Sequence, residues 1–265
     1  MVSKFRTEII TAAVKDAYKR LICPQIIRSC RSELTKMAEN EAIGTFTKNL
    51  NKLLLTPPYH GKTILSIDPG FSNGCKIAVL SPTGDVLDTD FIYPRFNLNG
   101  AADQKAVYKL QALVLKHEVS TISIGNGTAC RETESLVDFA VKSGTFHPHK
   151  VQYVIVDERG ASIYSCTEIA RKEFPKLDTN LISAVSLGRR LQDPLSEYVK
   201  IEPHHLGCGM YQHDVKQTKL KSALDETVME CVSFVGVNIN SCSQHLLQRV
   251  AGLTATRAKA IIDYR

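Results

Sequence analysis

Three carboxylates stand where this chain could do chemistry. Asp68 closes the apolar run Ile64-Leu65-Ser66-Ile67, and Pro69-Gly70 breaks the chain directly after it. Asp157 and Glu158 follow a second run, Gln152 to Val156, and lead into Arg159-Gly160. A strand that carries an acid to a tight turn presents it beside whatever binds at that end of the sheet. Two-metal nucleases need several converging carboxylates, so that one ion activates water and the other stabilises the leaving oxygen. Asp68 with Asp157 or Glu158 would supply part of that catalytic set. Asp68 and Glu158 would then be the ligands of Mg²⁺ or Mn²⁺. Without such chemistry the sequence asks for no cofactor. Asp-Pro-Gly is also ordinary turn chemistry, with Pro fixing φ and Gly supplying φ > 0.

Three further groups bear on binding. Gly125-Asn126-Gly127-Thr128 ends another apolar run and opens a helix carrying Arg131. Backbone N–H groups at that helix start could hold a phosphate, although the same residues make a plain strand-to-helix turn. His204, His205, Cys208 and His213 put four zinc-competent side chains within a short segment, but adjacent histidines seldom share one ion. The eight cysteines include no CxxC pair, which suits a reduced protein rather than a disulfide framework. Near the C-terminus, helix Gln244–Val250, hairpin Ala251-Gly252-Leu253-Thr254 and a basic helix with Arg257, Lys259 and Arg265 follow one another. Gly252 would let backbone N–H groups approach a phosphate, and the flanking cations add sequence-independent attraction. Interhelical packing is the competing role. Thr254 stands where such hairpins use a second Gly, which weakens the cradle.

The elements that must position these residues form an α/β pattern. Strands are expected at Thr63–Asp68, Cys75–Leu80, Val86–Tyr93, Thr121–Gly125 and Gln152–Val156. Helices are expected at Ala102–His117, Thr128–Ser143, Ala161–Phe174 and Asn180–Gln192. Three meander strands followed by alternating helix and strand make a mixed sheet, in the order of the RNase H fold. The first part of the chain is helical. Pro24 is expected to close one helix or begin the next, and a second helical pattern runs from about Ile26 to Leu55, giving a helical hairpin packed on the rest of the chain. Thr56-Pro57-Pro58 is the strongest boundary. The expected divisions are a helical segment at 1–58, an RNase H-like domain at 62–193 and a helical segment with one helix-hairpin-helix at 194–265.

Composition sets wide limits. The 265 residues carry a formal net charge of +6, a mild basic bias that permits nucleic-acid contact without demonstrating it. No apolar run approaches the roughly 20 residues needed to span a bilayer, and the N-terminus does not read as a signal peptide. An intracellular protein of nucleus or cytoplasm, without a membrane partner, is expected.

Longer motifs sharpen this. LLLTPP at Leu53–Pro58, IDPGFSNGCKIAV at Ile67–Val79, IGNGTACRETE at Ile124–Glu134 and GASIYSCTEIARKEFPKLD at Gly160–Asp178 come first. GRRLQDPLSEYVKI at Gly188–Ile201, YQHDVKQTKL at Tyr211–Leu220, VGVNINSCSQHLL at Val235–Leu247 and RVAGLTATRAKAII at Arg249–Ile262 complete them. Together they resemble the Tex family of transcription accessory proteins, nearly end to end. The resemblance implies that Lys62 to about Gln192 is a YqgF-type domain of the RuvC-like RNase H superfamily. The cysteine-rich wording is similar to eukaryotic members, which carry an S1 (OB-type) RNA-binding domain further on, and the chain is expected to stop before it. Active YqgF and RuvC relatives place another Asp on the last helix, where this sequence has Asn180 in the stretch to Gly188. The resemblance therefore implies a non-catalytic nucleic-acid-binding scaffold, with RNA ahead of DNA and with transcription or ribosome machinery as company. The competing reading is a metal-dependent nuclease using Asp68, Glu158 and Asp157. An actin-like ATPase, which needs a second RNase H-like half, is a distant third.

Overall fold

The computed structural model describes residues 4–93, 104–240 and 242–265. The apolar runs form strands β1 (Ile64–Asp68), β2 (Cys75–Leu80), β3 (Val86–Ile92), β4 (Thr121–Gly125) and β5 (Gln152–Val156), within a residue of the expected ends. They make one sheet in the order β3-β2-β1-β4-β5. The short turns after β1 and β2 allow antiparallel return, whereas the parallel pairs β1–β4 and β4–β5 need crossovers. Helices α3 (Gln104–His117) and α4 (Cys130–Lys142) lie in those crossovers. The expected start of α3 at Ala102 lies outside the described residues.

Alternation along the strands assigns each face. Leu65, Ile67, Ile77 and Val79 pack on Leu110, Val114, Leu136 and Val137 of α3 and α4. Ala78 and Leu80 point the other way, onto Ala184 and Val185 of α7 (Thr179–Gln192). With a period of two, Ser66, Asp68 and Lys76 fall on the α7 side as well. Ser66 Oγ donates a hydrogen bond to Ala184 O across that interface. This is the mixed α/β RNase H-like sheet with helical flanks that the element order implied.

Two expectations are corrected. Residues 161–174 form two short helices, α5 (Ala161–Ser165) and α6 (Glu168–Glu173), because Thr167 restarts the helix by accepting the Ala170 N–H at 3.3 Å. The N-terminal hairpin is absent as well. Helix α1 (Lys4–Ala17) continues through a π-helical turn, Tyr18–Ile22, into α2 (Cys23–Leu54). The Cys23 N–H bonds to Tyr18 O, one residue further back than in an α-helix. That wider register takes up the break that Pro24 would impose.

Only the last turns of α2 are buried. Ile43, Phe46, Leu50 and Leu54 share a core with Leu220, Leu224, Val228 and Val232 of α9 (Gln217–Val235). Leu195 and Tyr198 of α8 (Pro194–Tyr198) join it, as do Leu246 and Leu247 of α10 (Gln244–Leu247) and Ala258 of α11 (Ala255–Tyr264). The two helical flanks are thus one packed unit beside the sheet. No described helix is long and apolar enough to cross a membrane.

Candidate functional site

The β1–β2 register sets Asp68 directly opposite Lys76, with both side chains on the α7 face. Lys76 Nζ lies 3.3 Å from Asp68 Oδ2, and the two side chains are only 17% and 11% exposed. Helix α7 adds a third member, since Ser183 Oγ donates to the same Oδ2 at 2.5 Å.

Glu158 reaches this group because its flanking residues are pinned elsewhere. Buried Arg190 of α7 donates to the carbonyl oxygens of Asp157 and Arg159, at 2.7 and 2.8 Å. The Asp157 carboxylate is taken up by Arg159, whose Nε lies 2.9 Å from both oxygens. Asn126 Oδ1 accepts the Glu158 N–H at 3.1 Å. The structure therefore brings Asp68 and Glu158 together and commits Asp157 to Arg159.

The Glu158 carboxylate rests on the turn after β4. A Cβ on Gly127 would stand 1.5 Å from its Oε1, and one on Gly125 would stand 2.9 Å from its Oε2 and 3.0 Å from Pro69 Cδ. Burial raises the Glu158 carboxyl above its ordinary range, and the Asp68 charge raises it further; the Gly127 N–H and Lys76 pull the other way. Oε2 is buried without a hydrogen-bond partner.

This corrects the reading of Gly125-Asn126-Gly127-Thr128 as a phosphate seat. Its glycines make room for Glu158, and a phosphate there would meet a carboxylate rather than open backbone. Helix α4 begins only at Cys130, after Ala129 in the left-handed region at φ 65°. Arg131 is exposed in the first turn of α4. Gly127→Ala is expected to displace the Glu158 side chain and cost about 1 kcal/mol, because a flexible side chain can yield. Adding Glu158→Ala should recover most of that loss in urea melts.

The last helix offers no acid to complete a metal set. Asn180 is exposed, and its Nδ2 donates to Asp178 Oδ1 at 3.0 Å, within the cap of α7. One turn on, Ser183 meets Asp68 instead. A pair of divalent ions would need more carboxylates than Asp68 and Glu158, and would have to share the space with an ammonium. The residues present do not fit that metal pair. Lys76 and Ser183 escaped sequence reasoning, although strand pairing from the Pro69-Gly70 turn could have found Lys76.

The helix-hairpin-helix forms around α10 and α11. Gly252 adopts φ +83°, and beyond its two chain neighbours no described heavy atom lies within 4 Å of where its Cβ would be. Thr254 caps α11 by accepting the Arg257 N–H at 3.3 Å, a role that explains a hydroxyl where glycine was expected. Arg257 Nη1 donates to Gly252 O at 3.0 Å, and both Arg257 and Lys259 are exposed. Ala258 faces inward, completely buried. Arg249 pairs with Asp225 at 2.9 Å and ties the motif to α9.

The four-residue zinc set does not assemble. The Cys208 thiol is buried, donates to Pro203 O at 3.4 Å, and is pushed by burial up to about 11. His213 sits beside Asp214 at the surface. Among the described residues, the donors that approach one another are Glu202, His204 and His205, within 4.8 Å, on a largely exposed turn.

Sheet order, acid cluster and hairpin define an RNase H-like domain joined to a helix-hairpin-helix. Residues 62–192 match the Tex protein YqgF-like domain, and residues 232–265 match a helix-hairpin-helix motif. The chain belongs to the Tex family. It is 51% identical over 258 residues to human S1 RNA-binding domain-containing protein 1, covering 97% of this chain and 26% of that protein. It is 48% identical over 233 residues to Protein tex of Bordetella pertussis, 88% of this chain and 29% of the relative. The Transcriptional accessory protein Tex of Neisseria gonorrhoeae is 44% identical over 234 residues, covering 88% and 30%. The chain thus spans under a third of the length of these relatives.

Proposed function

We propose that this chain binds nucleic acid in transcription or RNA metabolism, with its RNase H-like domain acting as a non-catalytic scaffold. The observation that carries the reading is the exposed hairpin at Gly252, open in front of its backbone and flanked by the exposed cations Arg257 and Lys259. Such a surface takes phosphates without reading sequence. The Lys76 and Ser183 contacts to Asp68, and the absence of an acid at Asn180, support the loss of cleavage. The names of the relatives, one RNA-binding and one a transcriptional accessory protein, favour RNA over DNA and the transcription machinery as the setting.

The test is a band-shift titration on single-stranded and duplex RNA and DNA at several salt concentrations, with and without Mg²⁺ or Mn²⁺. Arg257→Ala with Lys259→Ala should weaken binding uniformly and reduce the salt slope by about 2, one for each phosphate no longer neutralised. No shift even at low salt would remove the binding reading. Metal-dependent cleavage that disappears in Asp68→Asn would remove the non-catalytic one.

A further inference from the structure

We propose that Lys76 is the resident cation of the Asp68–Glu158 cluster, its ammonium holding the place that a divalent ion bound by these two carboxylates would need. The inference rests on the non-catalytic reading and gives it a physical cause that the sequence alone did not show. Loss of an acid at Asn180 would by itself leave a weakened metal site. The structure shows a different cation delivered by the fold.

The delivery is built into the sheet. Asp68 and Lys76 are paired across β1 and β2, so backbone hydrogen bonds fix their separation before any side chain chooses a partner. The next pair inward on this face, Ser66 opposite Ala78, is small and covered by α7, whose Ser183 completes the contact to Asp68 Oδ2. With Lys76 Nζ 3.3 Å from that oxygen and largely buried, an approaching divalent ion meets an ammonium it cannot push into water without breaking the pair. Among the described residues, Glu158 meets the charges of Asp68, Lys76 and, most weakly, Asp157. Asp157 is occupied by Arg159. Two carboxylates and one ammonium leave a single net negative charge against an ion of +2, whereas the same two carboxylates alone would balance it. Glu158 Oε2, buried without a hydrogen-bond partner, marks coordination that Lys76 leaves unused.

The consequence is specific: neutralising Lys76 should create a divalent-cation site, not merely destabilise the fold. Mn²⁺ binding is measured on the whole 265-residue chain without nucleic acid, by loss of the free-ion electron paramagnetic resonance signal and by Mn²⁺-dependent shifts in melting temperature. The proteins are wild type, Lys76→Gln, Lys76→Met and each Lys76 variant combined with Asp68→Asn. Two Lys76 variants are used so that poor folding of one does not decide the matter. The expected result is saturable binding of one ion in Lys76→Gln or Lys76→Met, at least about ten-fold tighter than in wild type and abolished by Asp68→Asn. Folded Lys76 variants that gain no Mn²⁺ affinity would overturn the proposal. So would a wild type that already binds Mn²⁺ through Asp68. Neither result touches nucleic-acid binding, and cleavage by wild type would instead sink the non-catalytic reading, so the two failures are distinguishable.

Discussion

Lys200→Met is expected to cost about 3 kcal/mol of stability at neutral pH, because it leaves a buried carboxylate without its cation. Lys200 Nζ lies 2.9 Å from Glu197 Oε2 and 3.0 Å from Glu173 Oε2, and its side chain is only 8% exposed. Glu197 is almost fully buried and already has one oxygen without a partner. Glu173 also accepts from Tyr164 at 2.7 Å and pairs with Arg189, so one network joins α5, α6, α7 and the end of α8. The pH dependence follows from Glu173. Burial raises its carboxyl, but Lys200 and Arg189 outweigh that and bring it down to about 2. A carboxyl lowered in the folded state stabilises fully above its unfolded value and loses that contribution as pH falls through the folded one. The penalty of Lys200→Met should therefore be complete at pH 7 and shrink between the ordinary value of 4.5 and about 2. Urea melts across that range measure it. Adding Glu197→Gln should return part of the loss at pH 7; no return would place the cost in packing rather than charge.

The central strands β1, β2 and β4 were legible as short, mostly apolar runs because burial on both faces leaves little room for polar residues. The part-exposed edge strands β3 and β5 showed mainly through their β-branched and aromatic residues and the turns beside them. Asp68 and Glu158 were legible as acids at strand ends. What stayed hidden depends on register and packing. Lys76 lies one strand away from Asp68 and becomes its partner only through the β1–β2 pairing. Ser183 becomes one only through the way α7 lies on the sheet. Gly127 was visible as a glycine in a turn, but the acid that fills its space comes from another loop. The continuous helix through Pro24 was missed because a π-helical turn leaves no mark in apolar spacing. The N-terminal apolar residues keep their helical period although most of them are exposed in this chain, and periodicity reports a face without saying what covers it.

The depth at which α7 lies on the sheet leads to the second large effect, Gly188→Leu. A Cβ at Gly188 would stand 2.5 Å from Leu80 Cδ1 and 3.0 Å from Ser66 Cβ, so even alanine is crowded. Leu80 and Ser66 are both fully buried in β2 and β1 and have nowhere to retreat. A leucine must lift the helix or distort both strands, and the expected cost is about 3 kcal/mol. Gly188→Ala should cost less, and Leu80→Ala added to it should recover stability despite removing core volume, which a glycine that mattered only for backbone freedom would not allow. The same contact sets the site. If α7 lifts, Ser183 leaves Asp68 and Ala184 leaves Ser66, while α11 rests mainly on a separate cluster with α9, α10 and the end of α2. Hydrogen exchange on Gly188→Ala should therefore show loss of protection in β1 and β2 with α9 to α11 little changed. Uniform loss across the chain would instead mean that sheet and helical flanks open as one unit, and that the hairpin at Gly252 depends on the α7 contact for its shape.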